Sequence, residues 1–133
     1  EGDIRANIHA GGSAHKYKLT ESQIRVCKKI GPKLATDGLY FVGLDLIGDK
    51  WTLLIMRDAL FFDCRTFADF SDRPERIPTN LLSERLKRLV TFGALEKVAY
   101  QSRPQRFEYV PTKLGNEMKP LLKELRAFGD ANL

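Results

Sequence analysis

The sequence has little cysteine and no long apolar run. Its two cysteines, Cys27 and Cys64, lie far apart, which excludes a disulfide-rich scaffold and a CxxC metal pair. The apolar stretch 39–47 is broken by Gly43 and Asp45, so nothing there approaches the roughly 20 residues of a membrane span. No signal-peptide pattern opens the chain, and we expect a cytoplasmic protein with no membrane partner. Because the sequence begins at Glu1, without an initiator methionine, we also expect a fragment or a chain that lacks its first residues, so that targeting information could be missing.

The motifs of common catalytic and metal sites are absent as well. The two histidines, His9 and His15, have no carboxylate or thiol neighbours at the spacing of a metal site. No HExxH or GxSxG motif occurs, and Gly11-Gly12-Ser13 lacks the lysine and hydroxyl residue that end a phosphate-binding loop. We therefore expect no enzyme activity, no catalytic residue, no cofactor and no metal.

The sequence does have a globular composition with an excess of positive charge. Its 133 residues are 43% hydrophobic and 29% charged, which fits one folded domain and excludes a disordered or fibrous chain. Lys and Arg number 22 against 17 Asp and Glu, a net charge of +5. Between Arg76 and Arg106 seven basic residues stand against Glu84 and Glu96, so this stretch alone carries an excess of +5. Such a local excess favours a polyanionic partner.

Hydrophobic periodicity predicts a mainly helical chain. Residues 1–19 show little periodicity and are predicted to form an irregular arm. Thr20 opens a capping-box pattern and a predicted helix from about 20 to 34. Residues 39–47 and 50–62 are predicted core helices, and the second places its larger apolar side chains on one face: Trp51, Leu54, Ile55, Ala59 and Phe62. Thr66, with Asp69 three residues on, predicts the N-cap of a short helix.

Two further segments carry the functional interpretation. Residues 78–92 place Leu82, Leu86 and Leu89 on one helical face, and Gly93 ends that helix. The opposite face is polar, with Asn80, Ser83, Glu84 and Lys87, and Arg85 and Arg88 lie at its flank. Residues 94–111 predict a β-hairpin whose tip is flanked by Arg103 and Arg106.

The C-terminal residues predict one more helix, over about 113–128. Thr112 caps it and Pro120 should bend it. An apolar stripe follows its length: Leu114, Met118, Leu121, Leu122, Leu125 and Phe128. The fold class is therefore α+β and mainly helical.

A helix-turn-helix (about 66–92) followed by a basic hairpin (about 94–111) is the element order of a winged helix. An α-helix fits the major groove of B-DNA, where its polar side chains meet base edges, and a basic wing contacts flanking phosphates. A polar helix face and a basic hairpin tip are each, taken alone, also typical of a merely solvated surface. Their occurrence in this order favours DNA binding over that alternative.

Five separated motifs occur in order and resemble those of the HxlR-type winged-helix regulators over about residues 38–128. They are Leu46-Ile47-Gly48-Asp49-Lys50-Trp51-Thr52, Arg57-Asp58, Arg65-Thr66-Phe67, the stretch from Arg76 to Leu89, and Arg106-Phe107-Glu108-Tyr109 ahead of Thr112-Lys113-Leu114-Gly115. The resemblance implies a prokaryotic cytoplasmic transcriptional regulator of MarR-like architecture that binds operator DNA as a homodimer. Many members carry a sensor cysteine 13 residues before the tryptophan, but here that position is Gly38.

From these patterns we predict two sets of binding residues within a domain spanning 20–133. The DNA-binding set comprises Thr79, Asn80, Ser83, Lys87, Arg88, Arg76, Arg103 and Arg106. The homodimer interface combines the helix near Ile24 with the C-terminal stripe: Met118, Leu121, Leu125 and Phe128. A two-fold dimer would read a pseudo-palindromic operator.

Three alternatives stay open at this point. Cys64, beside Arg65, and Cys27 could sense an oxidant, because a neighbouring cation lowers a thiol pKa, but packed cysteines are the commoner case. Aromatic side chains could line a pocket for a small-molecule effector or simply form the core: Trp51, Phe61, Phe62, Phe67, Phe70 and Phe92. The winged fold could also serve as a protein- or RNA-interaction module without sequence-specific DNA reading.

Overall fold

One β-hairpin lies between two groups of helices in the residues that the computed structural model describes, which are 20–22, 24–25 and 37–133. The helices are α1 (Asp37–Ile47), α2 (Lys50–Phe61), α3 (Phe67–Ser71), α4 (Thr79–Phe92), α5 (Lys113–Asn116) and α6 (Lys119–Asn132). The strands, between α4 and α5, are β1 (Leu95–Ser102) and β2 (Gln105–Pro111). Ile24 N–H donates to Thr20 O at 2.9 Å, which confirms a helical turn at Thr20. The remainder of the predicted helix to residue 34, Cys27 included, and the predicted arm 1–19 lie outside the described residues.

The chain divides into two compact units, residues 1–49 and 50–133. In the first unit, α1 ends where Gly48 N–H donates to Leu44 O at 2.6 Å. A Cβ at Gly48 would lie 2.3 Å from that oxygen, so the close approach of the two backbones requires glycine.

The core of the second unit lies between α2, α4 and the base of the hairpin. From α2 it takes Ile55, Met56 and Ala59, and from the later elements Phe70, Leu82, Leu86, Leu89, Ala94, Leu95, Met118 and Leu122. The predicted apolar face of α2 is therefore correct for Ile55 and Ala59 but wrong for Phe62, which follows the helix and is 54% exposed.

The predicted leucine face of α4 is confirmed. Leu82, Leu86 and Leu89 are each at most 1% exposed. Pro78, expected within the first turn, is instead the N-cap, and its carbonyl accepts from Leu82 N–H at 2.9 Å. Gly93 ends the helix in the left-handed region at φ 98°, where its N–H reaches Leu89 O and Val90 O. The helix therefore has the face and the C-terminal glycine that the sequence predicts.

The predicted hairpin is also confirmed, and its base is closed by hydrogen bonds from Thr112. The strands pair antiparallel from Leu95↔Pro111 to Ser102↔Gln105, with a bulge between Ala99 and Gln101. Thr112 N–H donates to Ala94 O at 3.1 Å, and its hydroxyl donates to Gly93 O at 2.5 Å. The end of β2 is thus tied to the end of α4.

The C-terminal region forms two helices rather than the single bent helix that we expected. α5 ends at Asn116, and α6 starts at Lys119 with Pro120 in its first turn. Proline is tolerated in a first turn because its missing N–H would have no intrahelical partner there. Pro120 therefore lies near the start of α6, which continues to Asn132.

Candidate nucleic-acid interface

The polar side of α4 is the most extensive functional surface predicted from the sequence. Its predicted contact residues are all exposed: Thr79, Asn80, Ser83, Lys87 and Arg88. Glu84, on the same side, accepts a hydrogen bond from the half-buried Arg85. Since the opposite face of α4 is buried, these hydroxyl, amide and cationic groups project away from the core. They can donate to base edges or to phosphate oxygens.

The tip of the hairpin carries the second basic surface. Arg103 and Arg106 are exposed, and the Arg103–Pro104 peptide bond is cis. Gln101 donates its side-chain N–H to Arg103 O at 3.1 Å, which closes the tip. Lower in the hairpin, Lys97 Nζ lies 4.3 Å from the centroid of the Phe107 ring. Arg103 thus lies on the hydrogen-bonded turn, and Arg106 lies at the start of β2 beside it.

The hairpin is attached to the segment that precedes α3. Tyr109 N–H donates to Arg65 O at 2.6 Å, and the Tyr109 ring meets the Phe70 ring edge-on with centroids 6.5 Å apart. The Arg65 guanidinium donates to Ala59 O and Cys64 O, each at 2.8 Å. The wing is therefore held through Arg65 to the end of α2.

The short helix α3 begins with the predicted cap. Thr66 Oγ1 accepts from Asp69 N–H at 3.1 Å, and Asp69 accepts from Thr66 N–H at 3.1 Å and Arg65 N–H at 3.0 Å. These backbone N–H donors hold the pKa of Asp69 below its usual value. The predicted N-cap at Thr66 is confirmed, and Thr66 and Asp69 together form a capping box.

A mixed-charge cluster beside this helix was not predicted. Asp58 is 4% exposed and accepts from Arg57 Nε at 2.9 Å and from Arg73 Nε at 3.2 Å. Arg57 also donates to both carboxylate oxygens of Glu75 at 2.9 Å. These bonds lower the Glu75 pKa to about 2, and the Glu75 hydrogen bond is also the main cause of a raised Arg57 pKa. The one signal in the sequence that could have indicated this cluster is Asp58, a charged residue among the apolar residues of an amphipathic helix.

The thiol of Cys64 is packed rather than activated. Cys64 is 6% exposed, and its Sγ lies 3.8 Å from Asp69 O. Burial raises the Cys64 pKa, with a further rise from Asp58, and both exceed the lowering by Arg73 and Arg65. Arg65 does lower the Cys64 pKa, as its position in the sequence suggests, but burial outweighs it and the thiol is not activated.

The six aromatic residues considered for an effector pocket do not converge. Phe70 is in the core at 1% exposure, whereas Phe61 and Phe62 are 41% and 54% exposed. A shallow depression contacts two of the six, Trp51 and Phe70, and has room for about one water molecule. Its other walls include Asp58, Arg73 and Arg76, so it adjoins the charge cluster instead of forming an aromatic pocket.

The predicted dimer residues divide into two groups. Leu121, Leu125 and Phe128 are 45%, 51% and 69% exposed on one side of α6. Met118 is 6% exposed within the core, as is the neighbouring Leu122 at 8%, so the inclusion of Met118 in an interface was wrong. Ile24 is half-buried.

Over 20–22, 24–25 and 37–133, no three His, Cys, Asp or Glu side chains are grouped so as to hold a metal ion. In the same part of the chain, no helix has the length and apolarity needed to cross a bilayer.

The part of the chain that contains α2 to α6 and the hairpin is similar to a known family. Residues 46–133 match the model of the HxlR-like helix-turn-helix family. The chain belongs to this family. Its fold is accordingly a winged helix-turn-helix, with α3 and α4 as the helix pair and β1–β2 as the wing. We expected the resemblance to begin near Gly38, but the HxlR model begins at residue 46.

Relatives of the HxlR-like part include an uncharacterised HTH-type transcriptional regulator of Mycobacterium tuberculosis. It is 41% identical over 90 residues, which are 68% of this chain and 56% of that protein. The chain thus spans about half the length of the curated regulators it matches. Among solved structures, a candidate transcription factor of Pseudomonas aeruginosa is similar with a TM-score of 0.55 and 41% identity, covering 68% of this chain and 61% of that one.

The N-terminal part matches a different family, which was missed from the sequence. Residues 1–55 match the ATP-grasp domain of prokaryotic glutathione synthetase. The glutathione synthetase of Mesorhizobium japonicum is 48% identical over 52 residues, which are 39% of this chain and 17% of that enzyme. The two matches overlap at residues 46–55, and the division between the two compact units, after Asp49, falls in this overlap. Gly38, which stands in place of a sensor cysteine, therefore lies outside the HxlR-like match.

Proposed function

We propose that the chain binds duplex DNA as a homodimer and regulates transcription, with α4 in the major groove and the wing on the flanking backbone. The observation that carries the proposal is the exposed polar side of α4 opposite three buried leucines, followed in the same unit by the basic wing tip. Membership of the HxlR-like family supports it, as does the name of the Mycobacterium relative.

Individual roles follow from the chemistry of the exposed side chains. Asn80 can make paired hydrogen bonds to adenine, and Lys87 can donate to the O6 and N7 acceptors of guanine. Thr79 and Ser83 offer hydroxyls to either bases or phosphates. The remaining cations of the set are assigned to phosphates, or for a wing arginine to the minor groove: Arg76, Arg88, Arg103 and Arg106.

Selection of bound duplexes from a random pool, using the full chain, tests the proposal. Lys87→Ala should relax the base preference at one position, by about 1–3 kcal/mol per lost contact. Arg103→Ala should weaken binding to all duplexes about equally and reduce the salt slope by roughly one. Lys123→Ala, which removes an exposed cation from α6, is the control.

The outcomes separate the candidate functions. The assignment fails if Lys87→Ala and Arg103→Ala both bind every duplex as Lys123→Ala does. In the contrasting outcome, the unsubstituted chain binds all duplexes weakly and equally, and salt abolishes that binding. That result would favour a protein- or RNA-interaction module.

The exposed stripe of α6 supports the homodimer part of the proposal. Leu121, Leu125 and Phe128 lie within about 60° of one another around the helix, so they form one apolar strip. Pairing two such strips about a two-fold axis would bury them and would match a pseudo-palindromic operator with half-sites about one helical turn apart. Leu121→Glu should shift sedimentation toward the monomer, and Lys123→Ala should not. An unchanged sedimentation coefficient for Leu121→Glu would rule out this stripe.

An oxidant- or effector-responsive regulator is a special form of the same function. Repeating the duplex selection with oxidant tests it, and the buried Cys64 leads us to expect unchanged binding. If binding were lost on oxidation and Cys64→Ser prevented the loss, Cys64 would be established as a sensor.

A further inference from the structure

The mixed-charge cluster joins α2 to the connection between α3 and α4. Arg57 and Asp58 are on α2, whereas Arg73 and Glu75 lie between Ser71, the last residue of α3, and Thr79, the first of α4. The Arg57 guanidinium bonds the Asp58 carboxylate and, through two parallel bonds, the Glu75 carboxylate. The cluster therefore holds two points of the connection against the core helix.

An aromatic ring covers the same cations. The Arg73 guanidinium lies 4.3 Å from the centroid of the Phe62 ring, and that of Arg57 lies 5.8 Å from it. Phe62 itself is 54% exposed. Each guanidinium is consequently held by both a carboxylate and a ring.

The connection beyond the cluster has little freedom. Arg76, directly after Glu75, is in the left-handed region at φ 55°, which non-glycine residues disfavour. Pro78 has a restricted φ of −56° and accepts the first hydrogen bond of α4, from Leu82 N–H. Only Arg76 and two further residues separate Glu75 from Thr79, so the position of Glu75 largely determines where α4 starts.

We infer that Asp58 and Glu75 are positioning residues for DNA reading. Through their bonds to Arg57 and Arg73 they determine where α4 starts, and thereby where the polar side chains of α4 lie relative to the base edges. This inference rests on the function proposed above. Neither carboxylate needs to touch DNA. Both are negative, so by charge alone their neutralisation should tighten binding to every duplex. A positioning role predicts the opposite for the preferred duplex, since a displaced helix loses its base contacts.

The test uses Glu75→Gln in the full chain, because Glu75 is exposed while loss of the buried Asp58 charge could prevent folding. Glu96→Gln, an exposed position on β1 outside the cluster, removes the same charge and is the control. Two quantities are measured. The first is the ratio of affinities for the selected duplex and a scrambled one, and the second is hydrogen exchange of the Leu82 amide and the amides that follow.

We expect Glu75→Gln to lower the affinity ratio about tenfold and to speed exchange in the first turn of α4, with both unchanged in Glu96→Gln. Equal ratios and equal exchange in the two variants would overturn the inference. If the unsubstituted chain showed no preferred duplex, the proposed function would fail. The exchange measurement would still decide the positioning role, since faster exchange in Glu75→Gln alone would support it and equal exchange would overturn it.

Discussion

Replacement of Gly115 by alanine tests the packing between α5 and the base of the wing. A Cβ at this position would lie 2.1 Å from Ala94 O and 3.2 Å from the Cε methyl of Met56. An ordinary contact is about 3.4 Å or more, so the backbone at Ala94 or α5 itself must move by more than 1 Å. Ala94 O also accepts from Thr112 N–H, and any such movement strains this bond.

The magnitude follows from these two effects. Overpacking a close contact costs about 1–3 kcal/mol. Weakening one backbone hydrogen bond adds about 1 kcal/mol. We therefore expect Gly115→Ala to lower the free energy of unfolding by about 2–4 kcal/mol, which corresponds to a fall in Tm of at least about 8 °C.

Gly129→Ala is a control in which the same substitution should have the opposite effect on the free energy of unfolding. A Cβ at Gly129, within α6, would meet no atom within 4 Å. Alanine is favoured over glycine inside a helix by about 0.5–1 kcal/mol, so this variant should be slightly more stable. Urea unfolding followed by the fluorescence of Trp51, the single tryptophan, reports on the second unit. Equal transition midpoints for the two variants would refute the packing argument.

Two further predictions concern titration and thiol chemistry. The Glu75 pKa falls from 4.5 to about 2 on folding, so its stabilisation is complete above pH 4.5 and is lost as pH falls toward 2. The difference in unfolding free energy between the unsubstituted chain and Glu75→Gln should shrink in urea titrations from pH 6 to pH 3, and a constant difference would contradict this account. Because Cys64 is buried with a raised pKa, its alkylation at pH 7 should be at least about tenfold slower in the folded chain than in urea. Mass spectrometry of the Cys64 peptide measures both rates, and equal rates would show that the thiol is accessible.

Much of the fold could be predicted because its signals are local. The leucine spacing of α4, the glycine after it and the N-cap at Thr66 each depend on successive residues no more than four positions apart. Periodicity, capping and turn chemistry act over that range, so one sequence is enough to read them. The same spacing also exposes the polar side of α4, which is why the candidate DNA contacts could be named in advance.

Errors arose where a side chain is placed by residues distant in sequence. Asp58 accepts from Arg73, fifteen positions away, and Arg57 donates to Glu75, eighteen positions away, and nothing at Arg57 or Asp58 itself indicates those partners. Cys64 has a cation beside it in sequence, but its environment is decided by the burial that surrounds it. Arg65, the neighbour that the sequence reveals, has a smaller effect on the Cys64 pKa than burial does.

The C-terminal stripe shows most clearly which features the local sequence determines and which the tertiary structure determines. The apolar periodicity of the sequence alone determined that Met118, Leu121, Leu125 and Phe128 lie along one apolar stripe. Only the tertiary structure decided that Met118 packs inside the unit while the other three remain exposed on α6, because the break after α5 and the position of α2 determine which side of the stripe is covered. Local spacing specifies that a face is apolar, whereas long-range packing specifies how much of that face the chain itself buries.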